Sequence, residues 1–99
     1  MLHIVNKSHA ERAALASCLR LARDGQSLLL VEDGIYAATT AAAEASGIAA
    51  AARRLKVYVL LPDAQARGMA ARLAPEVTGV DYAGFVDLVA GHSTNQSWL

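Results

Sequence analysis

Apolar residues recur along this chain in two rhythms. Leu2–Val5, Leu28–Val31, Val57–Leu61 and Val77–Val80 are short runs rich in Leu, Val and Ile. Their length suits β-strands. Leu28–Val31 has no polar alternation, which fits a strand covered on both faces, as in a parallel sheet. Between the runs the spacing turns helical. Ala14, Leu15, Cys18, Leu19, Leu21 and Ala22 form one apolar stripe, with Arg12, Arg20 and Arg23 mostly on the other side. Ser8 and Glu11 make an S-x-x-E capping box, which starts this helix just after Ser8, and Gly25 ends it. A second helical stretch is predicted from near Ile35 through the alanines to Gly47, with Ile48–Leu55 a short helical piece or a loop. A third covers Asp63–Leu73 and stops at Pro75. Asp81 caps a last helix whose stripe is Tyr82, Phe85, Val86 and Val89, and Gly91 closes it. Trp98-Leu99 is an apolar end.

Strands alternating with helices, with room for a final short strand, predict an α/β fold: a mostly parallel sheet with helices on both faces. The expected unit is a single domain spanning residues 1–99. Composition sharpens this. Lys and Arg number 9 against 9 Asp and Glu, and 55% of residues are hydrophobic. Such a chain is too apolar for intrinsic disorder. It also lacks the electrostatic footprint of a nucleic-acid or anionic-membrane binder. A small, neutral, apolar domain is one whose surface expects to be covered. Cys18 is the single cysteine, which excludes an internal disulfide and a multi-cysteine zinc site and points to a reducing compartment. No signal-peptide pattern opens the sequence and no apolar run approaches a membrane span. The expectation is a cytoplasmic protein with no membrane partner.

Chemistry in such sheets gathers beyond the carboxyl ends of the strands. No G-x-G-x-x-G and no GK[ST] is present, so no nucleotide site and no cofactor are expected. Glu32, Asp33 and Asp63 could form a Mg²⁺ or phosphoacceptor site, yet the same carboxylates serve equally as helix caps. A small-molecule or phosphoacceptor domain is therefore one rival reading, and a purely structural scaffold subunit is another. His3, His9 and His92 have no metal-ligand spacing, and no metal is expected. Tyr36 and Tyr82 are expected half-buried, with their hydroxyls reaching a partner. Cys18 lies on the stripe of the first helix and reads as a buried packing residue. It stands more than two turns from Ser8, so a thiolate there would need a cation from elsewhere.

Several segments, in order and over essentially the whole chain, resemble the DsrH/TusB family of sulfur-relay subunits. They are Met1–Ser8, Ser17-Cys18-Leu19, Leu28–Val31 running into Glu32-Asp33-Gly34-Ile35-Tyr36-Ala37-Ala38, Val57–Leu60, Pro62-Asp63, Ala66-Arg67-Gly68, Val80–Leu88 and Trp98-Leu99. The resemblance implies a flavodoxin-like DsrE/F/H-type domain. It implies a heterohexamer with homologous DsrE/TusD-like and DsrF/TusC-like subunits, and a downstream acceptor of the DsrC/TusE type. Sulfur then travels as a cysteine persulfide, either in dissimilatory sulfur oxidation (DsrEFH) or in tRNA wobble-uridine 2-thiolation (TusBCD). The main carrier cysteine of these complexes lies in a loop beyond a central strand. This chain has Pro62-Asp63-Ala64 there, so the resemblance makes it an accessory subunit. Cys18 stands where DsrH-type members have a cysteine. That tilts the resemblance toward the oxidation branch and makes Cys18 the one candidate persulfide carrier. Glu32, Asp33, Gly34 and Tyr36 would shape an intersubunit surface.

Overall fold

The computed structural model describes residues 1–10 and 13–98. Five strands form one sheet: β1 (Leu2–Val5), β2 (Ser27–Leu30), β3 (Lys56–Leu60), β4 (Thr78–Val80) and β5 (Asn95–Trp98). Every pairing is parallel, in the order β4-β3-β2-β1-β5. The α/β expectation holds, including the final short strand. The chain steps from β1 outward to β4 and then crosses back to add β5 beside β1. The direction of winding therefore switches between β1 and β5, whereas flavodoxin-like order 2-1-3-4-5 has its switch between the first and third strands.

Right-handed crossovers explain the layers. Three successive steps in one direction put α1 (Ala14–Leu21), the 3₁₀ segment Glu32–Ala38, α2 (Ile48–Ala51) and α3 (Leu61–Ala66) on one face. Their apolar residues join Val5, Leu28, Leu30, Val57 and Val59 in the main core. The returning step puts α4 (Tyr82–Gly91) on the other face, where His92 Nε2 lies 3.1 Å from Ser27 Oγ. All four residues of β2 are buried, which is why its sequence shows no alternation.

Local departures from the predicted elements have tertiary causes. The first helix begins at Ala14, not beside Ser8. Ser8 Oγ instead accepts from the N–H of Ala10 at 3.2 Å, a local turn that competes with helix. Glu11, the other half of the capping box, lies outside the described residues. Leu21, expected on the buried stripe, is 66% exposed. The alanine-rich stretch is not one helix. Thr39 forms an antiparallel bridge with Leu73, the N–H of Thr40 donates to Arg72 O at 2.8 Å, and that of Ala74 donates to Ala38 O at 2.8 Å. The chain must be extended at Thr39 to make these bonds, so helical propensity yields there and residues 40–47 follow as turns. Gly47, at φ +89°, resets the backbone for the single turn of α2. The third helix divides at Gly68 into α3 and a short 3₁₀ turn, Ala70–Arg72. Asp81 caps α4 as predicted, its Oδ1 accepting from the Gly84 N–H at 2.8 Å.

The polar edge strand β5 pairs along β1 and is pinned further by a side-chain relay. The indole Nε1–H of Trp98 donates to Nδ1 of buried His3 at 3.1 Å. That makes His3 the Nε2–H tautomer, which donates to Gln26 Oε1 at 2.7 Å. The same oxygen accepts the Arg23 N–H at 2.9 Å. Trp98→Phe removes the only donor this relay offers to Nδ1 while keeping an aromatic ring. The expected cost is about 1–3 kcal/mol, because a buried acceptor is orphaned. Gln96→Ala, at an exposed position of the same strand, should stay within about 0.5 kcal/mol. Urea unfolding of the two variants checks this, and equal midpoints would refute the relay.

Candidate functional site

The carboxyl ends of β2 and β3 meet in a compact polar rim. Beyond β2 the chain turns sharply at Glu32, which adopts φ +48°, a left-handed conformation costly for a residue with a Cβ. Asp63, in the first turn of α3, holds that turn in place. Its Oδ2 accepts the Glu32 N–H at 2.6 Å. Arg67, one turn further along, donates through Nε to Asp33 Oδ1 at 2.9 Å and through Nη1 to Asp63 O at 3.3 Å. The hydrogen bond to Asp33 comes first among the causes that hold the Arg67 guanidinium more firmly protonated. Gly34 is buried beneath the end of β1, and a Cβ there would collide with the Val5 carbonyl oxygen. Glycine is required by that close approach.

The structure therefore brings the sequence candidates Glu32, Asp33, Gly34, Tyr36 and Asp63 to one end of the sheet, but in different states. Glu32 and Asp33 are exposed, Tyr36 is half-buried, and Gly34 is covered by its own chain. Gly34 thus shapes the rim from beneath and presents nothing to a partner. Asp63 and Asp33 are both engaged in tying α3 to the 3₁₀ segment. Among the described residues no cluster of three or more His, Cys, Asp or Glu could hold a metal ion. One carboxylate oxygen of each aspartate is thus committed within the protein, Asp33 to Arg67 and Asp63 to the Glu32 N–H. The role of Arg67, which ties the rim together, was not legible in the sequence because its partner Asp33 lies 34 positions away.

The other candidates lie elsewhere. His3 and His92 sit in separate hydrogen-bonded settings, the latter with Nδ1 2.6 Å from Leu88 O. His9 Nδ1 and Asn6 Oδ1 are buried atoms without a partner among the described residues. Tyr82 is 60% exposed, contrary to expectation, because α4 is the last layer on its face. An open groove of about 510 Å³ lies between Thr39–Ala41 and Met69–Arg72, and no sequence candidate lines it.

Cys18 is fully buried in the main core with Leu15, Val5 and Leu28. Burial pushes its thiol up to about 11, and the Arg54 guanidinium offsets only part of that rise. Both features are the reverse of what a reactive thiolate needs. The folded state holds the Cys18 proton more tightly than the unfolded chain does. Its stabilising contribution is therefore intact below the ordinary thiol value and is lost as pH rises through about 11. Wild-type stability should fall more steeply than that of Cys18→Ala between about pH 9 and 11. Unfolding midpoints across that range check it, and parallel profiles would contradict it.

Fold and rim define a class: a small all-parallel α/β domain whose strand-end aspartates, Asp33 and Asp63, tie neighbouring loops together. Comparison with known proteins gives the class its family. The model for DsrH-like proteins matches residues 7–95. Protein TusB of Escherichia coli O81 (strain ED1a) is 35% identical over 100 residues, spanning 99% of this chain and all of that protein. Protein TusB of Shigella sonnei (strain Ss046) is equally similar over the same span. In the fold alone, the chain is similar to the solution NMR structure of protein Tm0979 from Thermotoga maritima. The TM-score is 0.59 at 21% identity, covering 95% of this chain and 97% of that one. The chain belongs to the DsrH/TusB family. Among the described residues no helix is long and apolar enough to cross a membrane.

Proposed function

We propose that this chain is an accessory subunit of a cytoplasmic sulfur-relay complex, in which homologous DsrE/TusD-like and DsrF/TusC-like subunits surround it and a sister chain carries the persulfide. The full-length likeness to TusB proteins supports the assignment. The burial of Cys18 carries the division of labour. A persulfide relay needs a thiolate that an incoming persulfide can reach, and this sulfur is a core atom with a raised pKa. Cys18 is thus a packing residue, and the chain contributes surface, not sulfur chemistry. A packing cysteine also says nothing about the oxidation branch. With that tilt removed, the likeness to TusB favours tRNA wobble-uridine 2-thiolation, through an acceptor of the DsrC/TusE type.

Exposed apolar residues suit a subunit role. Tyr82 and Val86 stand 60% and 62% exposed on α4, the one helix on its face among the described residues. The test is co-expression with the sister subunits, incubation with a persulfide donor, and intact-mass measurement of each chain. A stable complex should form, with a one-sulfur gain on a sister chain and none here, unchanged by Cys18→Ala. A gain on this chain that Cys18→Ala abolishes would make it a carrier. A monomer with no affinity for the sister chains would remove the subunit reading altogether.

A further inference from the structure

Zero net charge conceals an uneven distribution. Arg20, Arg23, Arg53 and Arg54 all belong to the end of the sheet where the strands begin. Two backbone contacts join their loops: the Gly25 N–H donates to Arg54 O at 2.7 Å, and the Lys56 N–H donates to Gln26 O at 3.0 Å. Helix-end charge alone does not explain four arginines here. Arg54 already satisfies the end of α1, donating to Leu19 O and, at 2.7 Å, to Ala22 O. It also pairs with Asp24, whose side chain is 83% exposed, at 3.4 Å. Arg20, Arg23 and Arg53 are exposed and make no ion pair among the described residues. Glu76, in the loop before β4, is exposed and makes no ion pair among the described residues. Leu21, between Arg20 and Arg23 along the chain, is 66% exposed and spare to the core.

We propose that this rim is a docking surface for an acidic protein segment that carries an aliphatic side chain. Guanidinium forks match carboxylates two bonds at a time, and an exposed leucine gives such a segment an apolar anchor. Phosphate backbones would also meet the arginines. However, the rim offers no aromatic platform for bases, it includes Asp24, and the neutral chain supplies no long-range attraction. The surface lies at the opposite end of the sheet from the Glu32–Asp63 rim. It stands independently of the sulfur-relay reading.

The probe is a synthetic peptide of interspersed Glu and Leu, titrated into the full ¹⁵N-labelled chain. Amide shifts should saturate and be confined to residues 19–26 and 52–57. Replacing the peptide's Glu by Gln, or raising the salt concentration, should weaken binding by about tenfold or more. The protein variant Arg20→Glu/Arg23→Glu/Arg53→Glu should do the same, leaving Arg54 to cap α1. Its unchanged amide spectrum elsewhere shows that it folds, and the single change Arg53→Glu should show a smaller loss. Lys7→Glu, beyond the far end of β1, should bind as wild type. Absence of saturable shifts, shifts centred elsewhere, or indifference to the arginine substitutions would overturn the proposal. So would tighter binding of a single-stranded oligouridylate than of the peptide, which would make the rim a nucleic-acid surface.

Discussion

The burial of β2 on both faces governs most of what this chain does. A strand with Leu28, Leu29 and Leu30 at zero exposure needs a layer above and a layer below. In 99 residues there is little chain to supply them. One face takes α1, the 3₁₀ segment, α2 and α3, and the other takes α4. Leu15 and Cys18 are drawn into the core because α1 closes over β1 and β5 beside it. The position of the sulfur is thus a consequence of sheet coverage. Hydrophobic burial of this kind is worth roughly 25 cal/mol per Å² of apolar surface. No local hydrogen bond competes with that over a whole strand.

The same economy leaves α4 short of cover. It lies alone on its face among the described residues, half-burying Phe85, Leu88 and Val89 and leaving Tyr82 and Val86 in solvent. A domain of this size buries a modest fraction of its surface, and further apolar area can be removed from water only by another chain. Meanwhile the strand-end rim, where enzymes of this architecture keep their chemistry, is spent on fixing the loops. Asp63 steadies the strained Glu32, Arg67 ties Asp33, and Gly34 lets the 3₁₀ segment pass under β1. The rim's two aspartates hold loops together, and the apolar surface of α4 is left without cover among the described residues.

How much of this was legible in the sequence depends on the range of the interaction. The buried runs revealed their strands through their shortness, their Val and Ile content and the Gly, Pro or Asp residues that flank them. The Asp81 cap was legible because it acts within three residues. The helix after Ser8 and the one through the alanines were misjudged, since bonds from elsewhere in the fold or in the turn decide them. Thr39 pairs with Leu73, 34 residues on, and no local pattern announces that. The same holds for the site. Cys18 was readable as a stripe position, and its burial follows. The roles of Asp63, Arg67 and the His3–Trp98 pair rest on contacts between distant segments.

The central claim is that Cys18 belongs to the core. It is tested most directly by following alkylation of the native protein with a small thiol reagent at neutral pH. Labelling should proceed only at the rate at which the chain opens, accelerating with denaturant in step with unfolding. Rapid stoichiometric labelling of the folded protein, indifferent to denaturant, would contradict the account.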